Sequence, residues 1–146
     1  MSYTKDELTT LLQGSKPLQL ANYDLSKADL NEAELSKADL TGANLSGAFL
    51  DQARLRYADL TRANLEDVSF RKTNLHGATI LEADLTDADL RGADLSGANL
   101  KRANLCFANF TDANLTGADL TGAKYNRHTI WPAGFEPETA GLIHVK

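Results

Sequence analysis

Cysteine occurs once in this chain, at Cys106, so no disulfide can form within it, and a lone thiol fits a reducing compartment. No apolar run is long enough for a membrane-crossing helix. Basic residues are in deficit too. Fifteen Lys and Arg against twenty Asp and Glu leave a formal net charge of −5, which offers no basic surface to nucleic acid. The opening Met1-Ser2-Tyr3-Thr4-Lys5-Asp6-Glu7 has neither the basic start nor the apolar core of a secretory signal, so a cytoplasmic location is expected. Chemical constellations are missing as well. His76, His128 and His144 are scattered, and no Ser/His/Asp or Cys/His grouping, phosphate-cradling loop or metal-ligand spacing is visible. Catalysis needs convergent groups in a pocket, so neither an enzyme nor a cofactor or metal is expected.

What the chain has instead is a repeat of five that runs from Leu25 to Leu120 without a slip. Of twenty centres at every fifth position, seventeen are Leu; the others are Phe70, Ile80 and Phe110. The position two before each centre, followed from Ala28 to Ala123, is Ala except at Val68 and Thr73. The unit reads A-[N/D]-L-[S/T]-x, as in Ala43-Asn44-Leu45-Ser46-Gly47.

A period of five suits neither regular element. On an α-helix five residues rotate the chain by about 140°, which scatters the Leu residues around the axis. On a flat strand faces alternate, so an odd period points successive Leu residues to opposite sides. The chain must turn once per pentad, as a polygonal coil whose Leu centres and small residues face the axis. The other three positions face solvent and favour turns, through Asn and Asp side chains or through Gly. The period alone leaves three or four pentads per coil open.

The A-[N/D]-L-[S/T]-x run resembles the pentapeptide-repeat family over residues 18–127. That resemblance implies an all-β solenoid, a right-handed quadrilateral parallel β-helix with four pentads per coil. About five to six coils spaced at ~4.8 Å would stand roughly 25 Å tall. Phe70 and Phe110, forty residues apart, would then share one side.

A single domain is expected, with its ends distinct from its middle: residues 1–17 a helical cap, 18–127 the repeats, 128–146 a capping segment. Solenoids need such caps, because a terminal coil otherwise exposes core and unpaired backbone. Thr4 and Glu7 form a capping box, Leu8, Leu11 and Leu12 one apolar face, and Gly14 and Pro17 a stop, predicting a helix over 4–13. Beyond the repeats, Trp131, Phe135, Leu142 and Ile143 are expected to close the last coil, with a helical turn starting at Pro137. The Trp131-Pro132-Ala133-Gly134-Phe135-Glu136-Pro137 tail resembles endings of cyanobacterial members. Two capped ends predict a monomer.

At twenty residues per coil, Arg62, Glu82 and Arg102 form a charge ladder, Asp67 and Asp87 stack as like charges, and Arg71 stacks with Arg91. No side is strongly acidic. Phe49, Tyr57, Leu81 and Phe107 are large apolar residues at outward positions, where exposure is informative. Phe107 and Cys106 are expected beneath the tail. Phe49, Arg54, Arg56 and Tyr57 replace turn-forming residues on one coil and are of the types that anchor interfaces, so they form a candidate protein-contact patch. The functional expectation is a non-enzymatic scaffold that binds an unidentified protein, without direct contact to nucleic acid or membrane. The alternative implied by the resemblance is a DNA mimic acting on gyrase or topoisomerase. Members of that kind are longer rods, usually dimers, with extended negative surfaces.

Overall fold

The computed structural model describes residues 3–146. The residue before each centre bridges in parallel to the residue twenty positions on: Gln19 to Asp39, Asp24 to Asn44, Asp29 to Phe49, Glu34 to Arg54, and onward to Asn104 with Lys124. Four pentads therefore close each coil, which decides between three and four. Each coil has four sides, the Leu50, Leu55, Leu60 and Leu65 sides after four successive centres. Phe70 and Phe110 both fall on the Leu50 side, since Ser69, Asp89 and Asn109 bridge in one column.

Strand pairing is reduced to a minimum. Among the described residues only β1 (Lys124–Tyr125) and β2 (Ile143–His144) extend beyond a single pair, and they pair in parallel. The reason is the turn. A bond of 3.0 Å from the Ala48 amide to the Leu45 carbonyl closes a four-residue turn, and the same bond recurs at every centre from Leu20 to Leu120. So frequent a turn leaves little chain to extend.

One pentad shows how every amide is satisfied. Asn44 N–H donates to Tyr23 of one neighbouring coil (2.9 Å), while Leu45 and Gly47 donate to Asn64 and Glu66 of the other (2.8 Å each). Ala48 closes the turn, and Ser46 N–H donates to the Asn44 side chain at 3.1 Å. That last bond explains the Asn and Asp residues before the centres: each supplies the acceptor that the ladder does not. Full pairing of buried backbone is the general requirement.

The third turn residue has positive φ throughout. Seven of these positions are Gly, such as Gly47 at φ 65°, and fourteen are not, with φ of 55–64°. A left-handed conformation costs a non-Gly residue about 1–2 kcal/mol. The core offsets that cost. Centres from Leu20 to Phe110 are at most 1% exposed, and Ala38 to Ala108 are sealed between them. Thr73, the polar residue in an Ala position, donates its hydroxyl to the Leu50 carbonyl at 2.7 Å.

At the start, α1 (Lys5–Leu12) forms with the expected capping box. Thr4 N–H donates to Glu7 at 2.8 Å, and Glu7 N–H donates to the Thr4 hydroxyl at 3.2 Å. Leu8 is buried with the core, and Leu11 and Leu12 pack against it. Gly14 does more than stop the helix: a Cβ there would lie 3.1 Å from the Leu11 carbonyl oxygen and 3.3 Å from Leu18.

At the other end one extra residue enters. Asn109 bridges to Ile130, a step of 21 rather than 20, so the inward residue of that side is Trp131, one place late. Its ring stacks on Phe110 at 5.1 Å and meets Phe135 at 4.7 Å and Tyr125 at 5.7 Å. Thr129 takes the small inner position and donates to the Leu105 carbonyl at 2.9 Å. A 3-10 turn runs over Pro137–Thr139, and Leu142 packs on the core. Ile143 does not help to close the end. It stands at an outward place opposite Lys124 and is 49% exposed, because β2 continues the alternation of β1.

Candidate functional site

The four patch residues spread over two adjoining sides and the corner that follows. Phe49 sits mid-face on the Leu50 side and Arg54 mid-face on the Leu55 side, with Asp51 and Gln52 turning the corner between; Arg56 and Tyr57 turn the next corner, after Leu55. Phe49 is 49% and Tyr57 52% exposed. Phe49 displaces the usual Asn or Asp acceptor, so the Asp51 amide turns to Asn31 of the neighbouring coil at 2.8 Å. Arg54 pairs loosely with Glu34 at 3.6 Å. Arg56 reaches over the Tyr57 ring at 5.7 Å from its centroid. The Tyr57 ring lies on bare backbone: a Cβ on Gly77 would fall 2.6 Å from Tyr57 Cδ1 and closer still to Cε1. The Tyr57 ring also meets the edge of His76 at 5.4 Å.

Coil stacking brings together what the linear sequence separates. His76 Nδ1 lies 2.8 Å from Ser96 Oγ, and that hydroxyl donates to Asp94 at 2.6 Å. Its one proton is thereby committed to Asp94, so His76 must donate through Nδ1. This ordering leaves Ser96 without a base and makes the trio a surface network rather than a nucleophilic triad. Burial would raise the Asp94 carboxyl, but the Ser96 hydroxyl and amide, with His76 and Arg56 nearby, hold it below the ordinary value.

The charge columns form as expected. Arg62 and Arg102 grip Glu82 from either side at 2.9 and 2.8 Å. Arg71 and Arg91 share a column but each turns to an acid, Asp51 at 2.9 Å and Asp89 at 2.6 Å. Burial would raise Asp51, yet the Ser69 hydroxyl and Arg71 hold it below the usual carboxylate range. These exposed pairs contribute little each; their consequence is a surface of alternating sign.

Cys106 is half-buried, and burial followed by the charge of Asp84 pushes its thiol up, away from a reactive thiolate. Phe107 is covered by the tail only in part. It stacks on His128 at 5.0 Å yet stays 47% exposed, beside a recess of about 570 Å³ that the tail shapes without filling. Sequence reasoning missed that recess; the break in five-residue phase between Tyr125 and Ile130 was its visible signal. Among the described residues no three His, Cys, Asp or Glu side chains converge as metal ligands, and no helix is long and apolar enough to cross a membrane.

The family model for pentapeptide repeats matches this chain in eight copies, over residues 19–56, 50–92 and 83–122. No curated protein matches. Among solved structures, the pentapeptide repeat protein Rfr23 from the cyanobacterium Cyanothece 51142 is 41% identical, with a TM-score of 0.63, over 64% of this chain and 63% of its own. The match thus spans less than two thirds of that protein. HetL of Nostoc sp. strain PCC 7120, a pentapeptide repeat protein involved in heterocyst differentiation regulation, is 28% identical over 86% of this chain and 72% of its own, with a TM-score of 0.48. QnrB1, a plasmid-mediated fluoroquinolone resistance protein, is 18% identical over 88% of this chain and 87% of its own, with a TM-score of 0.42.

Proposed function

The chain belongs to the pentapeptide-repeat family, and from that premise we propose that it is a non-enzymatic scaffold that binds a protein partner through Phe49, Arg54, Arg56 and Tyr57. One observation carries the reading: Arg54 on the Leu55 side and Arg56 and Tyr57 at the corner after it stand together, with the exposed Tyr57 ring held in place by Gly77, His76 and Arg56. A large side chain that is already ordered loses little entropy when a partner covers it. Aromatic and Arg anchors of this kind dominate interface energies. Phe49 widens the contact around the corner to the next side.

The finer architecture belongs to the same reading. We infer right-handed winding and about five to six coils, since residues 18–127 at twenty per coil give roughly five and a half. With α1 over one end and the Trp131 cluster over the other, the scaffold is a monomer working in the cytoplasm.

The test is affinity capture followed by cross-linking at the patch, with the quadruple Ala variant as control and circular dichroism to verify its fold. A partner retained by wild type and cross-linked at Tyr57, but lost by the variant, supports the reading. Equal retention by both proteins overturns the patch. Inhibition of gyrase supercoiling by the purified chain would replace the scaffold with the DNA mimic, against which the paired charges around Glu82, Asp51 and Asp89 argue.

A further inference from the structure

The recess beside the tail has features that neither the repeat nor the patch explains. It is half-open, encloses about 570 Å³, and is walled by Phe107, Arg127, His128, His144, Val145 and Lys146. Small-molecule sites run from roughly 300 to 1,000 Å³. Two departures from the repeat build it: Phe107 stands where turn residues belong, and one extra residue between Lys124 and Ile130 delays Thr129 and Trp131 by one place. Phe107 holds a positive φ of 64°, an unfavourable conformation for so bulky a residue, while its ring stays 47% exposed.

The formal charges on the side chains lining this recess have one sign. No Asp or Glu lines it. Arg127 donates from Nε to His128 Nε2 at 3.2 Å, which places the His128 proton on Nδ1 and leaves the rest of the guanidinium without a carboxylate partner among the described residues. Every other side-chain Arg pair of the coils is matched to an acid except that of Arg56, which covers Tyr57. The recess thus joins a flat apolar wall to an unmatched planar cation, with the Lys146 ammonium at its edge.

We propose that this recess binds a small aromatic anion: a planar ring system carrying one carboxylate, sulfonate or phosphate group. The ring lies against Phe107 and Val145, and the anion takes the free N–H groups of Arg127, whose fork matches such oxygens. This goes beyond the scaffold reading and is independent of the patch, none of whose residues lines the recess.

The test uses the full chain and two fluorescent probes, the anion anilinonaphthalene sulfonate and its uncharged analogue N-phenylnaphthylamine. The sulfonate should bind saturably at one site. Arg127→Gln should weaken it about tenfold or more, and the neutral probe by less than about twofold, since only the charged group loses a charge-assisted bond. Phe107→Gly keeps the left-handed turn, removes the ring and should abolish both. The quadruple Ala patch variant should bind the sulfonate as wild type does, so failure of the patch and failure of the recess are told apart. Unchanged sulfonate affinity in Arg127→Gln, non-saturable binding, or retention by Phe107→Gly with an unaltered thermal midpoint would overturn the proposal. So would binding that tracks dimer formation in analytical ultracentrifugation, which would make a second copy the occupant.

Discussion

Gly77 and Gly97 are adjacent in one corner column, each at φ +66°, and they differ in what lies above them. At Gly97 an added Cβ meets nothing nearer than His76 Cε1 at 4.0 Å. At Gly77 it would fall within 2.6 Å of Tyr57 Cδ1. Gly97→Ala therefore carries only the left-handed strain of about 1–2 kcal/mol, partly offset by about 0.4–1 kcal/mol from a stiffer unfolded chain. A net loss of about 1 kcal/mol follows. Gly77→Ala carries the same strain and also drives the Tyr57 ring off its seat, breaking its edge contact with His76 and its stack with Arg56. Such contacts contribute about 0.5–1.5 and 0.5–1 kcal/mol, so the loss should be about 2–3 kcal/mol. At about 2–4 °C per kcal/mol for a chain of this size, the two variants should separate by several degrees in thermal unfolding followed by circular dichroism. The double variant Tyr57→Ser/Gly77→Ala should lose little beyond Tyr57→Ser plus the strain, which makes the coupling measurable as a cycle. Equal midpoints for Gly77→Ala and Gly97→Ala, or a cost at Gly77 that survives Tyr57→Ser, would refute the account of how Tyr57 is held.

Leu95→Ala, at a fully buried centre, should cost about 2–5 kcal/mol in urea unfolding, because the walls above and below prevent collapse; the same change at the partly buried Leu115 should cost clearly less. Acid should destabilise the chain with a defined sign. Asp51, by the Ser69 hydroxyl and Arg71 against its burial, and Asp89, by Arg91, have folded values held below the ordinary carboxylate value, so their contribution is complete above about pH 4 and falls as pH drops through the depressed values. Thermal midpoints should be flat from neutral pH down to that point and then decline, with a shallower decline in Asp51→Asn. Alkylation of Cys106 by iodoacetamide near pH 8 should be slower than that of a free thiol, since burial raises its titration; alkylation as fast as in the unfolded chain would contradict the half-buried placement.

The unbroken spacing of Leu and Ala made the coil legible, because each pentad carries its own turn and its own inward pair. The same holds at α1, where Thr4 and Glu7 complete a local motif three residues apart. The patch was legible in composition but not in arrangement. Nothing in the order of residues shows that Tyr57 rests on Gly77, or that the missing acceptor at Phe49 is supplied by Asn31. These contacts join residues twenty apart and depend on the coil closing at four pentads.

The sequence by itself determined the periodicity, the inward columns, the left-handed turns and the helix cap, since all of these are interactions within a few residues. Only the tertiary structure decided how the columns meet. Stacking turned His76, Ser96 and Asp94 into a network with its proton directed away from catalysis. A single extra residue at the last turn put Trp131 beneath Phe110 and opened the recess at Phe107, while pairing of β2 with β1 left Ile143 facing outward. A one-residue shift leaves every local preference intact. Its effect emerges only where the shifted segment packs against the coil above, because there the register of neighbours twenty residues away sets which side chains meet.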